Sequence, residues 1–261
     1  RKLAITFDLG TTFSGVLYSV LDPGSISDFY LYLSRFPSHE HVGREAKIPT
    51  IIFYDKEGNV CAVSAKALKQ NTVEQAEEEG WVKYSEYILS TFPCIGKTYL
   101  DPLNRTKLPS FKALTQVFSD FYAYLFQCTK SFILEMHQGA QAFWNSVEDH
   151  IEFVLSHPNG WQGAEQAKMR KALIDAGLVP DIDEGHTRVR FVTEGEASLH
   201  FCIHHDDEAV IIINAGGGTI NISAYTGVPS TTDGVQYFEE VAIPQCTCMI
   251  VLSCCLPFTL L

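Results

Sequence analysis

The sequence has no block of lysine and arginine. Its 19 basic side chains are scattered and outnumbered by 31 acidic ones, for a formal net charge of −12. Without clustered cations to hold a phosphate backbone, nucleic acid is excluded as an expected partner. Long hydrophobic runs are also missing. The most apolar stretch, residues 248–261, is interrupted by Pro257 and is shorter than the roughly 20 residues a membrane-spanning helix needs, so no membrane partner is expected. The histidines around His204-His205-Asp206-Asp207-Glu208 lack metal-ligand spacing and read as part of a surface turn. Charge is absent from Val241 to Leu261, and Cys246, Cys248, Cys254 and Cys255, half of the eight cysteines, fall there. That sets residues 246–261 apart as an atypical cysteine-rich tail, with a thiolate zinc site as the alternative reading. The chain begins Arg1-Lys2-Leu3 without an initiating Met, and the expected location is cytoplasmic or nuclear.

What is present is a globular composition, 46% hydrophobic over 261 residues, enough for one or two domains with a sizeable core. Alternation at Leu3, Ile5 and Phe7, a turn at Gly10 and an apolar return from Phe13 to Val20 predict a β-hairpin. A strand is predicted at 28–33 and a second hairpin at 50–63, around Asp55-Lys56-Glu57-Gly58-Asn59. Residues 64–90 read as helical, with Glu77-Glu78-Glu79 as a solvated face, and 93–109 as a loop rich in Pro and Gly. Leu114, Val117, Phe118, Phe121, Leu125, Cys128, Phe132 and Met136 recur at steps of three and four, which predicts a long amphipathic helix ending near Gly139. A strand follows at 151–156. Asn159 with Gln162 then predicts a capping box for a helix running to Ala176. Next come a strand at 188–193, a helix at 194–204 and a continuous apolar strand at 209–214, returning along 220–225. Strands alternating with helices after opening hairpins predict an α/β fold.

Two segments repeat one device. Phe7-Asp8-Leu9-Gly10-Thr11-Thr12-Phe13-Ser14 and Ile213-Asn214-Ala215-Gly216-Gly217-Gly218-Thr219-Ile220-Asn221 each carry a hydrophobic strand, an Asp or Asn, a glycine turn with Thr, and a returning strand. Small turn residues let backbone N–H groups approach an anion, and Thr hydroxyls add donors, so such a turn can cradle a phosphate. A carboxylate at the strand end can hold hydrated Mg²⁺ beside it. Two facing copies would clamp one polyphosphate from both sides.

Asp8-Leu9-Gly10-Thr11-Thr12-Phe13-Ser14 resembles the first phosphate motif of the heat-shock-protein-70 family, within the actin-like ATPase superfamily. Asn214 to Asn221 resembles the second, and Phe191-Val192-Thr193-Glu194-Gly195-Glu196-Ala197-Ser198 resembles the connecting segment with its catalytic-site Glu. The phrases His157-Pro158-Asn159-Gly160-Trp161 and Thr193 to Leu199 are similar to the divergent branch that lacks the peptide-binding domain. The resemblance implies an actin-like, ribonuclease-H-like α/β fold of two lobes with ATP or ADP and Mg²⁺ between them. It implies a first lobe over 1–205, with about 40–113 inserted, and the start of a second over 206–245, ahead of the tail. It also implies roles. Asp8 would face the metal with Asn214, and Thr11, Thr12 and Thr219 would contact phosphates, with Gly10, Gly216, Gly217 and Gly218 shaping the turns. Glu194 would orient water and metal, and Lys83 is the candidate for the family's phosphoryl-stabilising lysine. Co-chaperones and client proteins are the implied macromolecular partners.

Two departures qualify this. Asn214 and Asn221 stand where the family carries aspartates, which removes two negative charges from the metal and water site. Loss of a positioned general base costs about 10² to 10⁴ in rate, so ATP binding is expected to outlast hydrolysis. Little chain follows Thr219, so the second lobe is expected to be incomplete and its adenosine-binding segment missing. The expectation is an ATP-binding protein with weakened or absent hydrolysis. The alternatives are a non-catalytic nucleotide-sensing or interaction module and, ranked lower, a sugar kinase of the same superfamily.

Overall fold

The computed structural model describes residues 1–22, 31–38, 46–85, 112–202, 208–217, 219–228 and 237–248. The predicted loop at 93–109, the polar break at 205–207, Gly218 and residues 249–261 of the tail lie outside the described residues. In chain order, strands β1 (Lys2–Leu9), β2 (Phe13–Leu21), β3 (Leu31–Tyr32), β4 (Lys47–Pro49), β5 (Ile51–Tyr54) and β6 (Val60–Val63) precede helix α1 (Gln70–Glu79) and β7 (Val82–Ser85). Helices α2 (Leu114–Met136) and α3 (Ala140–Val147) follow, then β8 (Glu152–His157), α4 (Gly163–Asp175), α5 (Asp183–Thr187), β9 (Val189–Thr193) and α6 (Glu194–Cys202). The chain continues through β10 (Ala209–Ala215), β11 (Thr219–Val228), β12 (Tyr237–Glu240) and β13 (Gln245–Cys248).

The main sheet has the order β3-β2-β1-β8-β9, with β4 also on β2. One side is an antiparallel meander; on the other, β1, β8 and β9 run parallel, joined by helical crossovers. The predicted α/β class is therefore the observed one. Alternation in β1 sends Leu3, Ile5, Phe7 and Leu9 into the core. There the apolar stripe of α2, including Phe118, Phe121, Tyr122 and Leu125, meets Met169 and Leu173 of α4. Phe7 stacks on Tyr122 at 5.5 Å and on Phe153 at 5.8 Å, which ties β1, α2 and β8 into one aromatic cluster.

A three-stranded sheet, β6-β5-β7, packs its own small core from Phe53, Ala62, Ala67 and Ala76. A second main sheet, β10-β11-β12 with β13 also on β11, is covered on one face by α6 through Leu199, Ile212 and Tyr225. Its other face leaves Ile211, Ile213 and Ile222 exposed. β13 places Cys246 opposite Asn221, so a regular strand crosses the expected boundary of the tail.

Two expectations need correction. Residues 64–90 are not one helix: a 3₁₀ turn at Ser64–Leu68 leads into α1, which stops because Gly80 adopts a left-handed φ of 71°. Val82 to Ser85 then pair with β5 as β7. The capping box at Asn159 does not form. Helix α4 begins at Gly163, behind Gln162, and the Asn159 side chain is used elsewhere. The apolar run of β10 is not buried throughout: Ile212 is buried, whereas Ile211 and Ile213 are exposed.

Phe153 is fully buried on an interior strand and lies 6.1 Å from Phe126 as well as against Phe7. Phe153→Ala should cost about 3–5 kcal/mol by urea unfolding. A loss below about 1 kcal/mol would contradict this packing.

Candidate functional site

Parallel pairing sets Phe7 beside Leu155 and His157 beside Thr193, so the carboxyl ends of β1, β8 and β9 lie together. In open α/β sheets that end is where ligands bind. Asp8 arrives there on β1 and Glu194 at the first turn of α6. A reciprocal capping box starts α6: the Glu196 N–H donates to Thr193 Oγ1 at 3.0 Å, and Glu196 Oε2 accepts from the Thr193 N–H at 2.9 Å. The Thr-x-x-Glu spacing was legible in the sequence as a helix start.

The second sheet joins through two asparagines. Asn159, just past β8, donates its backbone N–H to Asn221 Oδ1 at 3.0 Å and its side-chain amide to Ser223 Oγ at 2.9 Å. Asn221 is almost fully buried, and its Nδ2 donates to Glu194 Oε2 at 2.6 Å. Asn214, directly opposite Asn221 in the β10–β11 register, donates to the same oxygen at 3.2 Å. A backbone N–H can only donate and an ionised carboxylate can only accept. Between them Asn221 accepts at one end and donates at the other, which an ionised aspartate cannot do. The two asparagines carry no charge, and they orient Glu194.

This hairpin junction brings the two glycine turns into contact. The second turn is closed by the Gly216 N–H donating to the Thr219 carbonyl at 2.8 Å. A Cβ built on Gly217 would lie 2.4 Å from the Thr12 side chain. At Gly10 a Cβ would fall 2.4 Å from the Phe13 carbonyl oxygen, so the first turn needs glycine for its own closure. Thr11 and Thr219 are buried, and the Thr12 carbonyl accepts from the Thr50 N–H at 2.9 Å.

Asp8 is held on both oxygens, with Ser156 Oγ donating to Oδ1 at 2.7 Å and Lys47 Nζ to Oδ2 at 2.9 Å. Lys47 reaches it because β4 pairs with β2, setting Lys47 opposite Gly15. Burial lowers the Lys47 pKa but Asp8 and then Glu194 outweigh it, and the net direction is upward. Burial first, and then the Asp8 charge, push the Glu194 carboxyl up to about 7. Lys83, by contrast, is exposed on β7, opposite Phe53 in the three-stranded sheet; the ion pair to Asp8 is made by Lys47. Lys47 and Ser156 carry no local motif. They arrive by strand pairing, which only the fold supplies.

No family model and no curated protein matches the chain. Among solved structures it is similar to MreB 5 of Spiroplasma citri bound to AMPPNP, at 16% identity and a TM-score of 0.45, over 93% of this chain and 53% of that one. It is also similar to a non-polymerising MamK mutant bound to AMPPNP, at 14% identity and a TM-score of 0.41, over 91% and 54% of the two chains. The chain thus spans about half the length of these two structures.

Glu194 holds its proton more tightly folded than at its ordinary value of 4.5. Its contribution to stability is present below that value and is lost as pH rises through about 7. Glu194→Gln should remove this dependence, so its stability relative to the parent should rise between about pH 5 and about pH 8 in urea titrations. Asn221→Asp sets two carboxylates face to face and should cost about 1–3 kcal/mol at pH 8, less at pH 5. An Asn221→Asp chain as stable as the parent at pH 8 would contradict the amide's role.

Proposed function

We propose that the chain binds a nucleoside triphosphate, ATP, between its two glycine turns, and that binding outlasts hydrolysis. The single observation that carries this reading is the approach of Gly217 to Thr12, which sets two phosphate-type turns against each other at the carboxyl ends of parallel strands. Backbone N–H groups in such turns favour an anion, and a turn from each side suits an extended polyphosphate. An actin-like arrangement is supported by the strand order β3-β2-β1-β8-β9 followed by a second sheet with its own hairpin. The finer assignment, a heat-shock-70-type ATPase domain with clients or co-chaperones in the cytoplasm or nucleus, rests on the sequence motifs at Asp8, Glu194 and Asn214.

A non-catalytic, nucleotide-sensing module is the second reading, and a specific observation favours it. Glu194 is a half-buried carboxylate beside the second hairpin, and one of its oxygens already accepts from both Asn214 and Asn221. With two amide donors already on Oε2, that oxygen is poorly placed to accept a proton from water.

Fluorescent ATP titration combined with phosphate release tests the proposal. The expected result is saturable binding with little or no turnover. Gly217→Val, which would force the turns apart, should weaken binding by about tenfold or more. Unchanged affinity in that variant would sink the facing-turn reading, and sugar-dependent ADP production would move the chain to the kinase class.

A further inference from the structure

The resemblance implies Mg²⁺ at Asp8 and Asn214, and the donor set can be tested against that ion. Mg²⁺ requires near-octahedral oxygens at about 2.0–2.1 Å, usually with one or two carboxylates free to face it or its water shell. Here each Asp8 oxygen already accepts a hydrogen bond, Oδ1 from Ser156 Oγ and Oδ2 from Lys47 Nζ. Asn221 Oδ1 accepts from the Asn159 N–H, and Asn214 and Asn221 turn their amide N–H groups towards Glu194. The residues present do not fit Mg²⁺. A dication at Asp8 would sit against the Lys47 ammonium, 2.9 Å from Oδ2, and be repelled by it.

Beside Asp8 the structure places a positive charge of a different kind. Lys47 Nζ lies 2.9 Å from Asp8 Oδ2, and its side chain is 58% exposed. An ammonium has three N–H donors, and Asp8 uses one, so Lys47 can meet phosphate oxygens while staying paired. It arrives on β4, beside the first glycine turn, where β4 pairs with Phe13 and the Thr50 N–H bonds the Thr12 carbonyl.

We propose that Lys47 stands in for the divalent cation beside Asp8, so that the site takes the polyphosphate of a nucleoside triphosphate free of metal. This rests on the nucleotide-binding reading above. The chemistry is electrostatic: a fixed ammonium neutralises part of the phosphate charge and shields it from Asp8, and no bond is made or broken. A metal-free site also fits a chain that binds nucleotide without hydrolysing it.

The test is calorimetric titration of the full chain with ATP, once in excess EDTA and once in excess magnesium chloride. The expected result is a Kd that changes by less than about threefold between the two, because charge neutralisation comes from Lys47 and not from the ion. Lys47→Gln should lose about tenfold or more of its ATP affinity in EDTA, while Lys47→Arg should keep most of it. Binding by the parent that tightens about tenfold or more with magnesium would overturn this inference while leaving the nucleotide-binding reading intact. So would a Lys47→Gln chain, folded by circular dichroism, that binds metal-free ATP as the parent does. Absence of binding in both conditions would overturn the nucleotide-binding reading and this inference together.

Discussion

The buried amide of Asn221 accepts from the Asn159 backbone at one end and donates to Glu194 at the other. Around that side chain the two main sheets meet. Asn159 follows the end of β8, Glu194 follows the end of β9, and Asn221 lies on the returning strand of the second hairpin. Fixing these three residues to one another fixes where the second glycine turn can sit, and it sits against the first. The Gly195 position tightens the junction further, since a Cβ there would fall 2.4 Å from Ser223 Oγ. In a low-dielectric setting each bond of such a network is stronger, and each unmatched group is costlier, than in water. The site is therefore sensitive to the polarity of every partner, as well as to shape.

Charge follows from the same geometry. The acidic groups that meet at this junction are Asp8 and Glu194, and each is answered by a donor: Lys47 and Ser156 for Asp8, two amides for Glu194. The result is a cluster close to neutral, in a chain whose formal net charge is −12. A near-neutral cluster beside two turns of backbone N–H groups can accept an anion without a strong opposing field. That near-neutrality traces to Asn214, Asn221 and Lys47.

The fold was legible where a periodic pattern or a turn residue forces the outcome. The stripe from Leu114 to Met136 gives α2 because steps of three and four have one helical solution, and the alternation of Leu3, Ile5 and Phe7 gives β1 for the same kind of reason. Both glycine turns were legible as well. Less legible was the use of Asn159, whose spacing to Gln162 mimics a capping box while its amide is bound to Ser223 across the sheet junction. Short β12 and β13 gave no sequence signal, because their order comes from pairing with β11. Lys47 illustrates the same limit at the site: nothing local distinguishes it from Lys83, and only the pairing of β4 with β2 sets it opposite Gly15 and within reach of Asp8.

The central claim is that the two turns act on one ligand. Amide hydrogen exchange, read by mass spectrometry with and without ATP, tests it directly, since a phosphate held by backbone N–H groups slows their exchange in proportion to its occupancy. The account predicts that peptides covering Gly10 to Ser14 and Gly216 to Asn221 gain protection together, over the same ATP concentration range. Protection of one turn without the other, or of neither at saturating ATP, would contradict it.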